Sequence, residues 1–104
     1  MQRFYVCPER FLKRQKRVFV TVENREIAVL CMNGRLAAYD AVCLHQGGPL
    51  SRGRAVGPWL ECPWHGCRWD ARTGCLAGST TVRLKGYSLD VQDGNVYVTV
   101  DENL

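Results

Sequence analysis

Long apolar runs are missing from this chain of 104 residues; none approaches the roughly 18 consecutive apolar positions of a membrane helix. No helical membrane span is expected. The opening residues, MQRFYVCPERF, have no extended apolar core ending in a small-residue cleavage site, so no secretory leader is expected either. The expectation is a soluble, unexported, cytoplasmic protein. Internal repeats, linkers and low-complexity tracts are also absent. Acidic residues are outnumbered, 10 against 14 Lys and Arg, but the formal charge of +4 is mild. It suits an acidic partner surface and is equally ordinary for a small domain. Histidine occurs only twice.

What is present belongs to a single folded domain. Apolar residues make up 46% of the chain, which argues against disorder, and the length allows one modest core. Six cysteines in so short a chain invite a disulfide framework. Without a secretory leader the oxidising compartment for such staples lacks support, so metal ligation is the better first reading.

The pattern is strand-rich. Val18, Val20 and Val22 alternate with Phe19 and Thr21, the period of a half-buried strand. Ile27 to Met32 is a short continuous apolar run, read as a buried strand. Asn33-Gly34 supplies the two positive-φ residues of a type I′ hairpin, with Leu36 to Tyr39 as the returning strand; Asp93-Gly94 does the same between Tyr87–Val91 and Val96–Val100. Near the start, Arg10 to Arg17 reads as one short helical turn or a charged loop. Its basic run, Lys13-Arg14-Gln15-Lys16-Arg17, has no interleaved aromatics, so no nucleic-acid partner is expected.

Between the hairpins the character changes. Residues 43–78 hold four of the six cysteines, both histidines and all three tryptophans, among many of the Gly and Pro residues. A β scaffold carrying a Gly-rich insertion follows, with base 1–42 and 79–104 and a ligand-bearing part 43–78.

Within the insertion stand Cys43-Leu44-His45 and, after sixteen intervening residues, Cys62-Pro63-Trp64-His65. Each half offers a thiolate and an imidazole. Two species fit two Cys and two His: one tetrahedral Zn²⁺, or a two-iron cluster with cysteines on one iron and histidines on the other. Common zinc fingers pair Cys with Cys and His with His. Here each unit supplies one of each, which suits a binuclear centre that both loops must span.

Cys43-Leu44-His45-Gln46-Gly47-Gly48-Pro49-Leu50 and Cys62-Pro63-Trp64-His65-Gly66 resemble the two cluster loops of Rieske proteins, and Arg68-Trp69-Asp70-Ala71-Arg72-Thr73-Gly74 resembles the strand and turn that leave the second loop. The resemblance covers nearly the whole chain. It implies an all-β fold, a small antiparallel sandwich or barrel-like base with a two-loop subdomain. It also implies one [2Fe–2S] cluster on Cys43, His45, Cys62 and His65, with the histidine-bound iron outermost. The implied role is one-electron transfer from a flavoprotein reductase to a terminal oxygenase, as in the low-potential Rieske ferredoxins of bacterial ring-hydroxylating systems. No enzyme is implied, since no nucleophile elbow and no spare histidine base remain. Two alternatives are a separated Rieske domain of a larger oxygenase and a zinc-stabilised interaction module.

Departures from the family pattern sharpen this. Respiratory and photosynthetic members carry an inter-loop disulfide; Gly48 and Trp64 hold those positions here. The same members use a Ser and a Tyr hydroxyl as donors at the cluster. Here these become Cys67, a weak donor, and Trp69, whose indole N–H is expected to lie elsewhere. With both donors lost, the potential is expected near the lower end of a family range of about −150 to +300 mV. The third loop usually carries a Pro; Gly78-Ser79-Thr80-Thr81 has none.

Other residues have plainer readings. Cys31 is a small buried hydrophobe and Cys7 is extra to the ligand pattern; Cys67 and Cys75, near the cluster, are either unpaired residues filling space or thiols that are redox-active or paired. Trp64 and Trp69 either cover the cluster or offer a flat docking face. Arg52, Arg54, Arg68 and Arg72 are candidates for a basic rim facing acidic partners, or else scattered solvated charges.

Overall fold

The computed structural model describes residues 2–44, 47–64 and 66–100. The fold is all-β with one short helix: β1 (Gln2–Pro8), α1 (Glu9–Gln15), β2 (Arg17–Val22), β3 (Arg25–Met32), β4 (Arg35–Asp40), β5 (Arg54–Val56), β6 (Trp59–Glu61), β7 (Arg68–Asp70), β8 (Gly86–Gln92) and β9 (Asn95–Val100). Six strands form one antiparallel, barrel-like sheet in the order β1-β9-β8-β4-β3-β2, and β5-β6-β7 form a second, small sheet.

Both Gly-containing turns form as the sequence predicts: Asn33 and Gly34 have φ of 53° and 79°, Asp93 and Gly94 53° and 78°. A third tight turn has no glycine. Glu23 and Asn24, at φ 54° and 66°, reverse the chain between β2 and β3. The N-terminal strand β1, which has no turn signal before it, pairs with β9 from Gln2↔Val100 to Pro8↔Asn95, with a bulge between Tyr5 and Cys7.

The basic segment near the start is helical rather than a loop. Pro8 stands at the N-cap, and Lys16 closes the C-terminus in the left-handed region, its N–H on the Leu12 carbonyl at 2.8 Å. Seven residues are too few to be stable alone. What holds them is Leu12, fully buried in the barrel core where α1 packs on β1, β2 and β3, while Lys13 pairs with Glu9 one turn earlier at 3.4 Å.

The apolar run of β3 is explained by burial on both faces. Ile27, Val29 and Cys31 point into the barrel core with Val96, Val98 and Val100, and Cys31 is the small buried hydrophobe expected. Ala28 and Leu30 point the other way, into a second core shared with Leu50, Leu60 and Trp69. That second core also contains Cys43 and Cys62. The cysteines are therefore seated where the two sheets meet.

Candidate metal centre

Two short loops bring the cysteines together, and each is built by the same hydrogen bonds. In the first, Cys43 N–H donates to the Gly48 carbonyl (2.9 Å) and Gly47 N–H donates back to the Cys43 carbonyl (2.6 Å). In the second, Cys62 N–H donates to Cys67 (2.7 Å) and Gly66 N–H to Cys62 (3.2 Å). The fourth residue after each cysteine is a glycine in the left-handed region, Gly47 at φ 75° and Gly66 at φ 71°. The loops are anchored differently. Leu50 N–H bonds Ala41 across the base of the first (2.8 Å). Gly53 closes it against β6 so tightly that a Cβ there would collide with the Glu61 carbonyl.

Cys43 and Cys62 are both 1% exposed, and none of the six cysteines is disulfide-bonded. The Cys43 and Cys62 side chains are hydrogen-bonded to each other, and the Cys67 thiol reaches Cys43 as well. Burial pushes the Cys62 thiol up from its ordinary pKa, Cys43 pushes it further, and backbone N–H groups of Trp64 and Gly48 pull the other way. Cys67 is raised by burial first, then by Cys43 and Cys62. Converging buried sulfurs oppose one another's ionisation, an arrangement that becomes favourable when they share a bound cation. The donors fit a thiolate-bound iron group. Among the described residues no group of three or more His, Cys, Asp or Glu side chains is arranged to hold a metal ion. His45 and His65, the other two residues of the expected set, lie outside the described residues.

The disulfide positions of the Rieske pattern are filled by an aromatic contact. A Cβ on Gly48 would lie 2.6 Å from Cys62 Sγ and 3.2 Å from the Trp64 ring, so the indole lies directly on Gly48 and bridges the loops without a bond. Leu44 and Trp64, 59% and 52% exposed, are apolar side chains on the outer surface of the two loops.

One expectation is overturned. The indole N–H of Trp69 does not lie away from the site: it donates to Cys43 Sγ at 3.4 Å. Trp69 is fully buried in β7, so the ring is an internal wall of the site rather than a docking face. The third loop is held by Ser79, whose hydroxyl accepts the N–H groups of Thr81 (3.2 Å) and Val82 (2.9 Å).

The four arginines divide unequally. Arg54 and Arg68 both grip Glu61 at 3.0 Å across the three strands of the small sheet, and together they hold its carboxyl below the usual range. Arg72 forms a two-point pair with Asp70 (3.0 and 2.9 Å). Arg52 makes no ion pair among the described residues.

The sequence model of the Rieske [2Fe-2S] domain family matches residues 2–88. The chain belongs to the Rieske [2Fe–2S] family. It is similar to the ferredoxin component of the naphthalene 1,2-dioxygenase system of Pseudomonas putida, 35% identical over 79% of this chain and 78% of that one. Among solved structures, the complex of reduced oxygenase and oxidised ferredoxin in carbazole 1,9a-dioxygenase contains a chain matching at a TM-score of 0.78 and 31% identity, covering 92% of this chain and 91% of that one. The ferredoxin of carbazole 1,9a-dioxygenase from Nocardioides aromaticivorans IC177 shares the fold at a TM-score of 0.79 with 23% identity, over 97% and 100% of the two chains. As a Rieske ferredoxin the protein carries one [2Fe–2S] cluster and serves as an electron carrier rather than an enzyme.

Proposed function

We propose that this Rieske ferredoxin holds its cluster on Cys43, His45, Cys62 and His65 and moves one electron at a time from a flavoprotein reductase to the terminal oxygenase of a ring-hydroxylating system. The observation that carries the reading is the pair of identically bonded loops that sets Cys43 and Cys62 side by side at the buried junction of the two sheets. When bound, the [2Fe–2S] group supplies a one-electron couple. The chain's own residues do the rest. Cys43 and Cys62 hold the inner side, shielded from water. His45 and His65, two and three residues beyond their cysteines in sequence, supply the other two ligands, and the exposed Leu44 and Trp64 offer an apolar contact to a partner. Arg52 and the Arg54–Glu61–Arg68 group leave a net positive charge on the part of the chain that carries the two loops, which favours an acidic partner surface. The division into base 1–42 and 79–104 and cluster-bearing part 43–78 belongs to the same proposal, as does a cytoplasmic setting.

The test is metal analysis with reductive titration of anaerobically purified protein. The proposal requires two irons and two acid-labile sulfides per chain, taking up one electron. A chain holding one tightly bound zinc and no iron contradicts it.

A further inference from the structure

The described hydrogen bonds to the two buried sulfurs include one from a side chain remote in sequence. Cys62 Sγ accepts from the backbone N–H groups of Trp64 and Gly48, which no side-chain substitution removes. Cys43 Sγ accepts from a side chain, the indole of Trp69, 26 residues away in sequence. The ring has no freedom to turn from this partner. It is fully buried; Trp69 pairs with Leu60 on one side and bridges to Leu76 on the other.

We propose that Trp69 is a positioning residue that sets the potential: its indole N–H, fixed on Cys43 Sγ, favours the reduced protein. The inference rests on Cys43 being a cluster ligand. Reduction adds negative charge, part of which resides on the ligand sulfurs, and a donor to a ligand sulfur is strengthened by that charge. Because packing fixes the indole in both states, its dipole acts without reorganisation, and in a dry site it is screened little. One of the two donors expected to be lost is thus retained in another chemical form. The midpoint lies above that of the same fold with a donor-free ring at position 69.

Film voltammetry of the cluster-loaded protein compares wild type with Trp69→Phe and Leu60→Ala. Phe keeps an aromatic ring and removes the N–H; Leu60→Ala opens a cavity beside the ring and leaves the N–H in place. Trp69→Phe is expected to lower the reduction equilibrium constant about tenfold, a fall of about 59 mV for a one-electron couple, while Leu60→Ala leaves the midpoint unchanged. An unchanged midpoint in Trp69→Phe with intact iron content, or an equal fall in Leu60→Ala, overturns the proposal. A second measurement needs no stable Trp69 variant. With ¹⁵N in the indole nitrogens alone, pulsed EPR of the reduced protein should show a ¹⁵N coupling that survives both Trp59→Phe and Trp64→Phe. Its absence overturns the proposal. A wild-type protein with no Rieske EPR signal refutes the ligand assignment beneath it, and is distinguishable by that fact.

Discussion

Placed side by side, the two cysteine-bearing loops have one backbone and two chemistries. Four residues after each cysteine stands a positive-φ glycine, Gly47 or Gly66, and seven residues after it a buried side chain, Leu50 or Trp69. The fifth position separates them. In the first loop it is Gly48, whose missing Cβ makes room for Cys62 Sγ and the Trp64 ring. In the second it is Cys67, with a thiol turned toward Cys43. The repeated hydrogen bonds fix where the cysteines sit, and the unequal side chains decide what each sulfur feels. Leu50 has nothing to donate to a sulfur; Trp69 donates to the opposite loop's cysteine.

The largest effect that would strain this pairing is in the shared core. Trp69→Ala should cost about 3–5 kcal/mol and Leu50→Ala about 2–5, measured by denaturant unfolding. A cost below about 1 kcal/mol at Leu50 would show that the two seventh positions are not equivalent supports. Next is the fifth position. Gly48→Ala drives a methyl into Cys62 Sγ, an overpacking of about 1–3 kcal/mol, and should sharply reduce iron retained after purification. Cys67→Ala, which removes a half-buried thiol without adding bulk, should keep its iron. Equal retention in both would break the asymmetry.

The glycines at the fourth position test the symmetry itself. Nothing lies within 4 Å of a Cβ built on Gly47 or Gly66. Alanine there pays only the left-handed backbone penalty, about 1–2 kcal/mol. The two losses should agree to within about 0.5 kcal/mol, and a clear inequality in unfolding free energy would deny the common backbone. The arginines that follow each loop differ more gently. Arg52→Ala should slow reduction of the carrier by an added flavoprotein reductase at low salt, and the difference should shrink as added salt shortens the range to about 8 Å at physiological ionic strength. Rates indifferent to salt would make Arg52 an ordinary surface charge.

Arg72→Ala is the smallest effect, at most about 1 kcal/mol of stability. Its two-point bond to Asp70 holds that carboxyl below the usual range. A depressed carboxyl contributes stability above its unfolded pKa, about 3.9, and loses it as pH falls through the lower folded value. Wild type and Arg72→Ala should therefore differ at neutral pH and converge in acid, read from unfolding curves between neutrality and about pH 3.

The legible parts of the fold were those with local causes. Asn33-Gly34 and Asp93-Gly94 carry their turn geometry in two residues, and the run Ile27 to Met32 reports its burial directly. Glu23-Asn24 adopts the same left-handed pair without glycine because the β2–β3 ladder around it imposes the reversal. The boundaries of α1 escaped the sequence because Leu12, a single residue, anchors it to a core assembled from several strands rather than to a repeating apolar face of its own. At the site, the spacing of Cys43 and Cys62 was readable, since ligand order is a local pattern. The Trp69 bond to Cys43 was not. It depends on how β7 packs beneath the first loop, a contact between segments with no periodic or compositional trace.

The measurement that bears most directly on the central assignment is pulsed EPR of the reduced protein with ¹⁵N-histidine. Two ligating histidine nitrogens should couple to the cluster in wild type, with the average g below 2 that marks a Rieske centre. Each of His45→Cys and His65→Cys should remove one coupling or the signal altogether. A signal without histidine couplings, or one that either substitution leaves unaltered, would contradict ligation by Cys43, His45, Cys62 and His65.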